Sequence, residues 1–309
     1  MTSFQAPFSN AQCKDPTTGQ CTGTADVNAG VADNRRACAR GRHRDGGLIG
    51  GVSIAAMQVV ATIAAAALGA GVGMLMPLPT YRLSVAADSD PAGNCPHCQA
   101  SLPAGLRGWI GHGTCTSCGS PLTSPPWHFV AVTALAFALL GWSLPHRIPA
   151  EVLLLAAWLV LTGTGIWLAA IDLHVQRLPT KIITATAAAC GLLIAAAALV
   201  SDRLGLAATA SSAALVLGLA YLTLALLAPG QLGVGDVRLA ALCGLLLGTH
   251  GWGAVVLGAA LPWLLSSIVA GALLSTGRVR RGALIPFGPY LIVGTLLAGI
   301  ITGLGAAGY

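Results

Sequence analysis

Charge is scarce in this 309-residue chain: 8% of its residues are Asp, Glu, Lys or Arg, against 55% hydrophobic and a mean hydropathy of +0.77. Soluble globular domains carry about a quarter charged residues, so a soluble class is excluded and a polytopic membrane protein is left. Carboxylates are the rarest resource, ten in all. Six of them (Asp15, Asp26, Asp33, Asp45, Asp88 and Asp90) fall in the polar first hundred residues, which leaves Glu151, Asp172, Asp202 and Asp236 for the apolar remainder. No glycine-rich nucleotide loop occurs, and no nucleic-acid partner is expected.

Long apolar runs fill most of the rest. Stretches of membrane-crossing length, roughly 17 to 25 residues, start near Leu48, Trp127, Val152, Ile182, Leu206, Trp252 and Ile285, and a shorter one covers about Val237 to Gly248 before the tight turn Thr249-His250-Gly251. Because lipid offers the backbone no hydrogen-bond partner, these runs predict an all-α polytopic membrane protein of about eight transmembrane helices. The expected division is a disordered tail over 1–46, a first transmembrane helix over 47–76, a loop over 77–126 and a transmembrane core over 127–309. The tail is rich in Asn, Thr, Gly, Asp and Arg with no apolar periodicity, and it lacks the form of a cleaved signal peptide.

Basic residues set the orientation. The loops at 77–126, 172–181, 229–238 and 275–286 hold eight: Arg82, Arg107, Arg177, Lys181, Arg238, Arg278, Arg280 and Arg281. The alternate loops hold Arg147 and Arg203. The first set is read as cytoplasmic, with Glu151 and Asp202 on the opposite side. The cluster Arg35, Arg36, Arg40, Arg42 and Arg44 opposes this, and three explanations stand open: an overridden signal, a helix count off by one, or an over-extended start with Met57 as a later initiator. Arg278, Arg280 and Arg281 are expected to anchor anionic headgroups.

In the 77–126 loop, Cys95-Pro-His-Cys98 and Cys115-Thr-Ser-Cys118 stand sixteen residues apart, the spacing of a four-thiolate zinc site. Four thiolates close a tetrahedron with no open position, so the site is structural, and in so small a loop the metal would supply much of the folding free energy. The competing reading is a pair of redox or disulfide sites, which a reducing compartment disfavours. His97 and His112 are read as bystanders. Cys13, Cys21 and Cys38 fall in the tail, and Cys190 and Cys243 read as small buried residues within helices.

Asp172 (IDLHVQRLPT) and Asp236 (LGVGDVRLA) are then the acid pair able to share one site. Singly, Asp172 reads as a solvated helix-end residue and Asp236 as the N-cap of a helix starting at Val237. Their context points further. Gly233 and Gly235 precede Asp236 and allow unusual backbone and close approach, and Pro179 sets a rigid extended turn after Asp172. Paired carboxylates that share a proton can activate water and protonate a scissile carbonyl.

IDLHVQRLP, LGVGDVRLAA and PFGPYL (Pro286 to Leu291) resemble, in order and spacing, the signature segments of the prepilin peptidases, or type IV leader peptidases, among the GxGD aspartyl proteases. The CPHC and CTSC knuckles are similar to those of the long, bacterial form. The resemblance spans about Val72 to Leu297. It implies an inner-membrane, multi-pass enzyme that removes the basic leader of type IV prepilins or pseudopilins at the cytoplasmic face, with Asp172 and Asp236 as catalytic pair, Gly233 and Gly235 as the GxGD glycines, and Cys95, Cys98, Cys115 and Cys118 as zinc ligands. Many long-form members also methylate the new N-terminus with S-adenosylmethionine. Here the knuckles sit closer together than is usual, and Pro125-Pro126-Trp127-His128-Phe129-Val130 lacks the family's glutamate. Methylation therefore stays open beside a zinc loop that only shapes the substrate entrance. Asp88 and Asp90 are weighed as contacts for a basic leader and read as a solvated face. The alternative function is a non-catalytic membrane scaffold of a pilus or secretion system, and a transporter would place its acids nearer the bilayer midplane.

Overall fold

The structure is a computed structural model that describes residues 56–307 except 86–90, 104, 106–108, 110–112, 124, 146–147, 229, 231 and 279–285. The expected tail with its arginine cluster and cysteines, the helix start near Leu48, and Asp88, Asp90, Arg107, His112, Arg147, Arg280 and Arg281 lie outside the described residues. The chain divides into Met1–Met57 and Gln58–Tyr309, and the fold below is that of the second unit.

Among the described residues all regular elements are helical apart from isolated bridges in the cysteine loop. Seven helices are long and apolar enough to cross a membrane: α1 (Ala56–Leu75), α3 (Pro126–Ser143), α4 (Pro149–Val175), α5 (Thr180–Val200), α6 (Leu204–Leu227), α8 (Trp252–Ser275) and α9 (Gly288–Ala307). A short helix, α2 (Pro77–Leu83), follows α1. The sixth expected segment is also helical, α7 (Val234–Leu247), but it has only 14 residues. At 1.5 Å per residue that is about 21 Å, short of the roughly 30 Å hydrocarbon core. Among the described residues the expected segments thus comprise seven helices of crossing length and a shorter partner. The reason is local: a 3-10 turn at Gly248–His250 ends α7, and Gly251, at φ 90°, reverses the chain into α8.

Small residues let the helices meet closely, the usual device where lipid removes the hydrophobic drive between them. Side chains added at Gly248 and Gly244 would stand 2.6 Å from Ala210 Cα and from the Ala213 carbonyl oxygen of α6, and one at Gly218 would stand 3.1 Å from Ala241 Cβ of α7. The α6 and α7 backbones therefore run antiparallel in contact along nearly the whole of α7. A side chain at Gly299 of α9 would fall 2.5 Å from the ring of Trp158, which is fully buried in α4. Thr133 of α3 donates to the Gly69 carbonyl of α1 at 2.7 Å. Cys190 and Cys243 are both fully buried, in α5 and α7.

The short connections alternate the helix directions, so the C-terminal ends of α4 and α6 and the N-terminal ends of α3, α5, α7 and α9 share one end of the bundle. Glu151, in the first turn of α4, and Asp202, just after α5, belong to the other end.

Candidate functional site

Asp172 lies three residues before the end of α4 and is buried, 5% exposed. That overturns the reading of a solvated helix-end residue. Its Oδ2 accepts the backbone N–H of Gly288, the first residue of α9, at 3.1 Å. A side chain on residue 288 would stand 2.8 Å from the same oxygen, so the close approach of this backbone depends on glycine. Pro289 follows directly, in a position that favours a helix start.

Asp236 is the third residue of α7, and its Oδ2 accepts the Gly233 N–H at 3.1 Å. The N-cap is therefore Gly233, and the helix begins at Val234 rather than Val237. An acid in the first turn complements the helix dipole and satisfies an otherwise free amide. Gly233 has ordinary extended torsions (φ −76°, ψ 149°), so glycine is not needed there for backbone freedom. Gly235 is needed for space: a side chain would stand 2.9 Å from Leu178 Cβ in the α4–α5 connection. A second tie runs from Arg238 Nη1 to Thr180 Oγ1 at 2.7 Å. The connection itself is shaped by Gln176 at φ 50° and by Pro179, which enters α5 with extended torsions.

Three segments far apart in sequence thus converge: the α4–α5 turn, the start of α7 and the start of α9. Asp172, buried, and Asp236, half-buried, both stand at this convergence, each accepting a backbone N–H. Beside them, Tyr221 of α6, Trp263 of α8 and Phe287 form an aromatic wall, with ring centroids 4.8 Å apart for Trp263–Phe287 and 6.0 Å for each pair with Tyr221. Pro286 immediately precedes this wall. Leu178 and Gly288 lie within the quoted motifs IDLHVQRLPT and PFGPYL without a contact role of their own, and Tyr221 lies outside every motif. Gly288 had a readable signal, its place between Phe287 and Pro289, whereas Leu178 and Tyr221 look like any other apolar helix-end or interior residue.

The four loop cysteines also come together. Their sulfurs all lie within 4.8 Å of one another, with Cys95–Cys118 at 3.8 Å and Cys98–Cys115 at 3.6 Å. A tetrahedron with metal–sulfur distances of about 2.3 Å has edges of about 3.8 Å, so the cluster can hold a metal ion with zinc's geometry. Each knuckle is built alike. Cys95 N–H bonds the Ala100 carbonyl and Leu102 N–H that of Gly93, while Cys115 N–H bonds Ser120 and Leu122 N–H bonds Gly113. Hydrogen bonds from Ser120 draw the Cys118 thiol down to about 6, toward the thiolate that binds metal. The loop docks on α2 through Tyr81 Oη to the Asn94 carbonyl at 2.8 Å, Arg82 Nη2 to the Pro103 carbonyl at 2.7 Å, and the Arg82 guanidinium over Trp109.

The fold and site define a multi-pass helical membrane protein with a buried and a half-buried acid at one bundle end and a metal-competent loop. Residues 153–276 match the model of the type IV leader peptidase family, in keeping with the resemblance of the motifs. No curated protein and no solved structure matches the chain. The matched segment contains Asp172 and Asp236 and stops before Pro286 and Gly288.

Proposed function

We propose that the protein is an aspartyl endopeptidase of the cytoplasmic membrane that removes the basic leader of type IV prepilins or pseudopilins at the cytoplasmic face, with Asp172 and Asp236 as its catalytic pair. One observation carries this reading: two of the few acids in the apolar part of the chain, 64 positions apart, are folded to one bundle end, each held by a backbone N–H, that of Asp172 coming from a third segment.

The chemistry needs only these groups and water. One ionised carboxylate takes a proton from water as the water oxygen bonds to the scissile carbonyl carbon, and its protonated partner gives a proton to the carbonyl oxygen. The tetrahedral intermediate collapses by breaking the C–N bond: the proton held by the first carboxylate passes to the leaving nitrogen, and a hydroxyl proton of the intermediate returns to the second carboxylate as the new carboxyl forms. Because the groups interact, their titration belongs to the pair rather than to either residue. The Gly288 N–H orients Asp172, and the Gly233 N–H with the Gly235–Leu178 contact orients Asp236. Zinc on Cys95, Cys98, Cys115 and Cys118 would be held by four thiolates and would fold the loop rather than touch the peptide. The substrate's apolar helix enters from the bilayer between the helices, and its Lys/Arg-rich leader stays at the membrane face.

The test is leader removal from a prepilin in membranes, read by mass spectrometry for wild type, Asp172→Asn and Asp236→Asn. Cleavage lost in both variants at unchanged abundance is expected. Normal cleavage by either variant removes the dyad, and the same spectra show whether the new N-terminus gains the mass of a methyl group.

A further inference from the structure

Tyr221 combines three properties that a packing residue does not need. It is 2% exposed, and its hydroxyl, fully buried, has no hydrogen-bond partner. On the neighbouring helix Asp236 Oδ1 is likewise buried without a partner. Buried polar groups left unsatisfied are destabilising, so a donor and an acceptor orphaned on adjacent helices call for a reason.

They are side by side by helix register. Along the antiparallel α6–α7 contact, Ala210 meets Gly248, Ala213 and Ala214 meet Gly244, and Gly218 meets Ala241. One further step of three or four residues brings Tyr221 level with the first turn of α7, where Asp236 sits. The electrostatics agree, because the charge of Asp236 reaches Tyr221. The ring also packs on Phe287, the neighbour of the glycine that holds Asp172.

We propose that Tyr221 is a positioning residue of the site, whose O–H donates to the open oxygen of Asp236 in the substrate-bound enzyme and fixes that carboxylate for proton transfer. The inference rests on the peptidase reading above. In the free protein the hydroxyl makes no close hydrogen bond; the Trp263 indole beside it can only donate, so the tyrosine's own proton stays available for Asp236.

The discriminating variant is Tyr221→Phe, which keeps the ring and its packing and removes only the oxygen. Hydrogen bonds to charged groups are worth enough to change a rate by roughly ten- to a hundredfold. The expected result is a kcat for leader removal lower by about that factor, a KM within about twofold of wild type, and a melting temperature that does not fall. Wild-type kcat, an effect confined to KM, or a loss of rate matched by a loss of melting temperature would each overturn the proposal. Asp236→Asn measured in parallel separates the two ideas. If Asp236→Asn is inactive and Tyr221→Phe is normal, only the tyrosine falls; if Asp236→Asn cleaves, the dyad falls and takes the tyrosine's role with it.

Discussion

Replacing Gly288 by alanine tests the site at a single carbon atom. The added methyl would stand 2.8 Å from Asp172 Oδ2 and 3.3 Å from its Cγ, closer than real methyl contacts come, so either the carboxylate or the start of α9 has to move by a few tenths of an ångström. The hydrogen bond from the 288 N–H to Asp172 is lengthened in either case. Bonds to charged groups contribute about 1.5 to 3 kcal/mol, so its loss lowers the rate of leader removal by roughly ten- to 150-fold. Folding is affected less, because two terms oppose: overpacking costs about 1 to 3 kcal/mol, and alanine is up to about 1 kcal/mol better than glycine in a helix. The expected outcome is a protein of near-normal abundance, with a melting temperature lowered by a few degrees, that cleaves slowly. Gly253→Ala is the control, since a side chain there in the first turn of α8 meets nothing within 4 Å; it should leave cleavage unchanged. A Gly288→Ala protein that cleaves at the wild-type rate would refute the role given to this backbone contact.

Three other outcomes follow from the same geometry. The purified protein should carry one zinc ion per chain by elemental analysis, lost in Cys95→Ser together with resistance of the 77–126 loop to limited proteolysis. Arg238→Ala removes the tie to Thr180 and should slow cleavage by about two- to tenfold, the value of an ordinary exposed hydrogen bond, without changing zinc content. Gly248→Leu forces a side chain into the α6 backbone at Ala210 and should lower the melting temperature in detergent by an amount equivalent to about 1 to 3 kcal/mol or more, with activity falling in proportion to the folded fraction.

Much of this architecture was legible because lipid makes composition decisive: the apolar runs near Trp127, Val152, Ile182, Leu206 and Trp252 are helices starting within a few residues of those positions. The failures have physical causes. α7 is the shorter run that the sequence already set apart, but its start was misplaced because Asp236, a good N-cap type, serves instead as the first-turn acid that bonds back to Gly233. The cysteine spacing predicted a four-sulfur cluster, and the sulfurs gather as such. What escaped was the duplicated knuckle, although Gly93 to Leu102 and Gly113 to Leu122 share glycine, cysteine and leucine at matching positions. The acid pair was found by scarcity, since so few carboxylates remain in the apolar chain. Its supports were not: PFGPYL marked Gly288 without showing which group its backbone amide would hold, and Tyr221 is placed by helix register alone.

The amide that holds Asp172 lies 116 residues further along the chain. A nascent chain that has already inserted α4 and α7 therefore owns both acids but not the clasp that aims the first of them. Until the start of α9 leaves the ribosome and packs back onto α4, the surroundings of Asp172 are unfinished, so this end of the bundle is completed only as synthesis closes.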